Sequence, residues 1–118
     1  MAHARLTPEL TEIVAERFRA LGDPVRLQLM QVLRDGEQTV GEIVEITGLG
    51  TANVSKHLQL LHAAGFVTRR KEGLFVYYDL AGSDVLRLCD IICGRLAAES
   101  RSRQRVLAGE RGAARSGR

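Results

Sequence analysis

The hydrophobic period of this chain switches at Gly65, and that switch limits the fold more than any other feature. Before it, apolar residues recur at helical spacing in four short runs, each closed by glycine. Thr7 is placed to cap the first run, Pro8 suits the first helical position and Glu9 favours the helix dipole. Leu10, Ile13, Val14, Phe18 and Leu21 follow, and Gly22 stops the helix. Asp23-Pro24 opens a second helix by the same device; Val25, Leu27, Leu29, Met30, Val32 and Leu33 are its apolar residues, and Gly36 closes it. Thr39 and Glu42 form a Thr-x-x-Glu capping box for a short third helix, with Ile43, Val44 and Ile46 expected inward. Gly48-Leu49-Gly50 breaks that helix, and a fourth begins near Thr51 with Val54, Leu58, Leu60 and Leu61 as its core side.

After Gly65 the pattern reads as strands, Phe66–Lys71 and Leu74–Leu80, with Glu72-Gly73 as the turn between them. Ser83 can cap a last helix carrying Val85, Leu88, Cys89, Ile92 and Leu96 on one face. Four helices, a hairpin and a fifth helix, with two short helices joined by a tight glycine turn ahead of a basic hairpin, predict a mainly α (α+β) winged helix-turn-helix. One domain is expected over residues 1–108, followed by a disordered basic tail over 109–118.

Composition narrows the class further. Five aromatics and no Trp leave a core of Leu, Val and Ile. No apolar run reaches the roughly 18 residues of a membrane span. The first residues lack the apolar stretch of a secretory signal, so the expected compartment is the cytoplasm and the two cysteines are expected to be reduced. The net charge of +3 is unevenly spread: residues 1–50 carry five Arg and eight acids, 51–80 four Lys or Arg and two acids, and 95–118 seven Arg and two acids. Positive charge therefore gathers in the middle and the tail, as a polyanion partner requires, although the Arg-rich tail taken alone reads as a solvated end. No Ser or Cys stands beside an evident base and no phosphate-cradling glycine loop is present, so enzyme activity is not expected.

Three motifs carry a family resemblance: Ala20-Leu21-Gly22-Asp23-Pro24-Val25-Arg26-Leu27, the run Asn53 to Val67, and Arg70-Lys71-Glu72-Gly73-Leu74-Phe75-Val76-Tyr77-Tyr78. Together and in order they resemble the second helix, the recognition helix and the wing of the arsenic/zinc-type metalloregulators, the ArsR/SmtB family, over roughly residues 14–98. The resemblance implies a homodimer joined through the first and last helices. It implies repression of a nearby operon, relieved when a small effector binds.

With the apolar side of the fourth helix inward, Thr51, Ala52, Asn53, Ser55, Lys56, His57 and Gln59 are left for other surfaces: a solvated polar face or, with the flanking helix and wing in place, contact with double-stranded operator DNA. The first residues of a recognition helix reach base edges. By resemblance Thr51, Ala52, Ser55 and Lys56 take the base-facing places, although the family often has Gln or Ser where this chain has Thr51 and Ala52. Asn53 suits adenine, and Lys56 suits guanine or a phosphate. Arg69, Arg70 and Lys71 are expected at the wing tip, neutralising phosphates; Arg70→Ala is then expected to flatten the salt dependence of binding.

The family's arsenic sensors carry Cys-x-Cys where this chain has Thr39 and Gly41, and its zinc sensors carry ligands at places matching Gly82, Asp84, Arg95 and Ala98. Only Asp84 among these could ligate. What remains is Cys89 and Cys93, four apart on one helical face. Two thiolates at that spacing can hold a soft metal or metalloid ion such as As(III), Cd or Zn, with further ligands from His3, His62, Asp90 or a partner's cysteines. The pair can equally act as a redox switch through disulfide, persulfide or sulfenate chemistry. It can also simply pack, since Leu86, Cys89, Cys93 and Leu96 form an apolar stripe. In that case the chain is an effector-independent DNA binder or a protein-interaction adaptor.

Overall fold

The structure is a computed structural model describing residues 5–109. His3 and the expected tail from residue 110 onward lie outside the described residues. The chain divides into two units, one ending at Ser83 and one beginning at Asp84.

In the first unit the predicted punctuation governs each helix. Helix α1 (Pro8–Leu21) starts where the Thr7 hydroxyl accepts the N–H of Leu10 at 3.1 Å, and ends at Gly22. Helix α2 (Pro24–Val32) starts at Asp23, whose carboxylate accepts the N–H groups of Val25 and Arg26 at 2.9 and 3.1 Å. It tightens into a 3-10 turn over Leu33–Asp35 instead of running to Gly36 as one helix. Helix α3 (Val40–Thr47) has both halves of its capping box, Thr39 Oγ1 accepting from Glu42 N at 3.1 Å and Glu42 Oε1 accepting from Thr39 N at 2.7 Å. Gly48, at φ 73°, takes the left-handed conformation that lets the chain turn within three residues into helix α4 (Thr51–Ala63).

The hairpin forms with a one-residue correction. Its strands are β2 (Val67–Glu72) and β3 (Phe75–Leu80), with Glu72 opposite Phe75, so the turn is Gly73-Leu74 rather than Glu72-Gly73. Gly73, at φ 60°, sits at the first central position, where a II′ hairpin turn needs glycine. A third strand escapes the sequence pattern: β1 (Gln38–Thr39) pairs antiparallel with β3, Gln38 opposite Tyr78 and Thr39 opposite Tyr77. The sheet order is β1-β3-β2, so the wing is anchored beside the start of α3.

The core of this unit is Leu29, Met30 and Leu33 from α2 and its continuation, Ile43 from α3, Val54, Leu58 and Leu61 from α4, and Val67 and Tyr78 from the wing. Two residues expected inward are not: Ile46 is 59% and Leu60 44% exposed. Each lies outside the stripe that faces the neighbouring helices, because α3 and α4 carry more apolar residues than that stripe holds.

The second unit is one helix, α5 (Asp84–Leu107). Along it Ile91, Ile92 and Leu96 are exposed, Cys89 is half-buried and Cys93 exposed, and both thiols are free. Among the described residues no helix is long and apolar enough to cross a membrane.

Candidate DNA-binding surface and sensing residues

Helix α4 presents a polar first turn. Thr51, Ala52, Asn53, Lys56 and Gln59 are exposed, Ser55 is half-exposed, and Val54, Leu58 and Leu61 are buried on the other side. Among the described residues no side chain caps the helix; Gly50 stands at its N-cap. Its first N–H groups are thus left by the protein for an outside acceptor, in a place where the helix dipole favours an anion. An open groove of about 300 Å³ runs between this turn and the wing, lined by Thr51, Ser55, Thr39, Gly41, Leu74 and Phe75 among others. The wing apex there is apolar: Leu74 is 96% exposed.

The expected row of cations at the tip is corrected in two ways. Arg69, Arg70 and Lys71 pair with Tyr78, Tyr77 and Val76, which places them along β2, short of the turn. Because side chains alternate across a strand, Arg70 points away from its two neighbours. Its guanidinium donates to Glu37 at 3.0 and 2.8 Å, contacts the Glu72 carboxylate, and lies 4.5 Å over the Tyr77 ring. The Arg70 hydrogen bond holds the Glu37 carboxyl below its ordinary range, and the two carboxylates raise the pKa of Arg70 still further. Arg70 thus ties the wing to the segment before β1 in this structure. Arg69 and Lys71 are exposed and make no ion pair among the described residues.

His57 is also engaged within the protein. Its Nδ1 lies 3.1 Å from Arg26 Nη1, and the same guanidinium donates to the carbonyls of Ala20 at 2.6 Å and Arg19 at 3.3 Å. Arg26 lies inside the second-helix motif, and no local sequence signal marks this contact. Asp23 beside it is held below the ordinary carboxylate range, chiefly by accepting the Arg26 N–H.

Cys89 and Cys93 share the helix α5, one turn apart. Among the described residues no three His, Cys, Asp or Glu side chains come together as a metal site. The Cys-x-Cys places are filled by Thr39, which is spent on the α3 cap, and Gly41.

Comparison with known proteins converges on one family. The profile of "Bacterial regulatory protein, arsR family" matches residues 23–69. The homodimeric winged helix-turn-helix DNA-binding domain of Mb0332 from Mycobacterium bovis superposes with a TM-score of 0.68 at 33% identity, over 84% of this chain and 90% of that one. This chain belongs to the arsR family of bacterial regulatory proteins. Among the relatives, the HTH-type transcriptional regulator Rv0324 of Mycobacterium tuberculosis is 39% identical over 83 residues, 70% of this chain and 37% of that protein. The probable mercury resistance operon repressor of Streptomyces lividans is 39% identical over 77 residues, 65% of this chain and 62% of the repressor. The matches thus span less than two thirds of the length of either relative.

Proposed function

We propose that this arsR-family chain is a homodimeric, sequence-specific operator-binding repressor. The observation that carries the reading is the uncapped, polar first turn of α4, held out from the core directly after a three-residue turn and beside a wing with two uncommitted cations. In this reading Thr51, Ala52, Asn53, Ser55, Lys56 and Gln59 face the major groove, while Arg69 and Lys71 neutralise phosphates. The exposed apolar residues Ile13 and Phe18 on α1, and Ile91, Ile92 and Leu96 on α5, are the surfaces a second copy would cover. The homodimeric state of the Mycobacterium bovis domain supports that assignment.

The effector is sensed at Cys89 and Cys93 on α5. The mercury resistance repressor among the relatives supports a soft ion as the signal. The pair supplies two thiolates, and the remaining ligands would come from the second copy. Oxidation is the second route open to the same pair: the two thiols join as a disulfide while two electrons and two protons pass to the oxidant. A bond at that spacing strains a helix and would distort α5.

The test titrates the DNA upstream of the chain's own gene with reduced protein, then adds arsenite, zinc, cadmium, and finally a mild oxidant or polysulfide. Release by one agent, abolished in Cys89→Ser/Cys93→Ser, is the expected result. Tight binding that no agent alters would make the cysteines packing residues.

A further inference from the structure

Arg26 and His57 together suggest how the base-reading helix is held at its angle. Helix α4 is seated by Val54, Leu58 and Leu61, an apolar stripe whose attraction to the core has no direction of its own. At 3.6 residues per turn, His57 lies about 60° to one side of that stripe and Lys56 lies nearly opposite it. The His57 Nδ1 contact with Arg26 is therefore a lateral, directional tie on a helix otherwise seated by apolar packing.

The other end of the tie is equally defined. Arg26 starts in the first turn of α2, and its guanidinium reaches the carbonyls of Arg19 and Ala20, in the last turn of α1. A cation at that helix end is favoured by the dipole, and the planar fork spans several acceptors at fixed angles. One side chain thus connects three helices. Asp23 sets its base by fixing the Arg26 backbone N–H.

Base recognition tolerates little roll. A bidentate contact holds within about 10–20°, and on a helix about 10–12 Å across a roll of that size moves a side-chain tip by roughly 1–2 Å. Nonspecific phosphate contact, made by long flexible cations, is less exacting.

We infer that Arg26 is a positioning residue for operator recognition, acting through His57 to fix the roll of α4, and that His57 is a strut and not a base contact. The inference rests on the operator-binding reading for its DNA readout, but its structural half can be measured without DNA. With Nδ1 accepting from Arg26, the neutral His57 ring carries its proton on Nε2.

The experiment compares wild type with Arg26→Lys, His57→Asn and His57→Leu. Asn keeps an acceptor near the Nδ1 place, whereas Leu keeps volume without it. In free protein, ring nitrogen shifts of His57 should report the Nε2–H tautomer, and Arg26→Lys should shift the amides of residues 51–59. A Nδ1–H tautomer, or unchanged amides, overturns the strut whether or not DNA binds. In anisotropy titrations, Arg26→Lys and His57→Leu should each lose about tenfold in operator affinity, with nonspecific affinity and salt slope unchanged and His57→Asn near wild type. The two losses should not add in the double variant. Equal loss on all DNA with a flatter salt slope would make His57 or Arg26 a phosphate contact and overturn the proposal. If Arg26→Lys fails to fold, the contrast between His57→Leu and His57→Asn decides it.

Discussion

The wing makes a quantitative prediction in which neighbouring residues behave oppositely. Lys71 and Arg70 are adjacent on β2, yet Lys71 is exposed with no ion pair among the described residues while Arg70 is held by Glu37, Glu72 and the Tyr77 ring. Each phosphate neutralised contributes about 0.9 to the slope of log affinity against log salt. A homodimer carries two wings, so Lys71→Ala should flatten the slope by about 1.8. Between about 50 and about 200 mM salt that change amounts to roughly a tenfold smaller loss of affinity. Arg69→Ala should act alike. Arg70→Ala should leave the slope within about 0.5 of wild type, because the charge removed was already neutralised. The assay is anisotropy on one labelled operator duplex across a salt series. Flattening by Arg70→Ala equal to that by Lys71→Ala would refute the assignment of Arg70 to the fold.

Three further expectations concern the fold itself. Leu58→Ala, at a fully buried site on α4, should destabilise by about 2–5 kcal/mol in urea unfolding, since the cavity adds to the lost burial. Thr39→Ala removes one half of the α3 capping box and should cost about 1 kcal/mol, a loss of several degrees in melting temperature. Asp23 and Glu37 both titrate below their ordinary values of 3.8 and 4.5 in the folded chain. Their stabilisation is thus fully present above those values and is lost as pH falls through the lower folded ones. Unfolding followed from neutral pH downward should be flat in this contribution to about pH 5 and then decline; Glu37→Gln should make the decline shallower.

Much of the fold was legible because its signals are local. Thr7-Pro8, Asp23-Pro24 and the Thr39–Glu42 box act within one helical turn, and each starts a helix where the sequence placed it. The switch of period at Gly65 located the wing. What escaped depends on partners far apart in the chain. Strand β1 has two residues, too few to show any alternation, and exists through pairing with β3. The turn lies one residue beyond the place the pattern predicts, because Gly73 suits either register and cross-strand pairing alone decides. The polar face of α4 was readable from its apolar stripe. The commitments of Arg70 to Glu37, 33 residues away, and of Arg26 to His57, 31 away, were not. Both are cations that composition alone would offer to DNA.

The central claim is tested most directly by the stoichiometry and selectivity of binding to the duplex upstream of the chain's own gene. Anisotropy titration, with a scrambled duplex of equal length as competitor, reads both. Two protomers per site and a preference of at least about 10³-fold over the scrambled DNA at physiological salt are expected. Equal affinity for both duplexes, or one protomer per site, would contradict it.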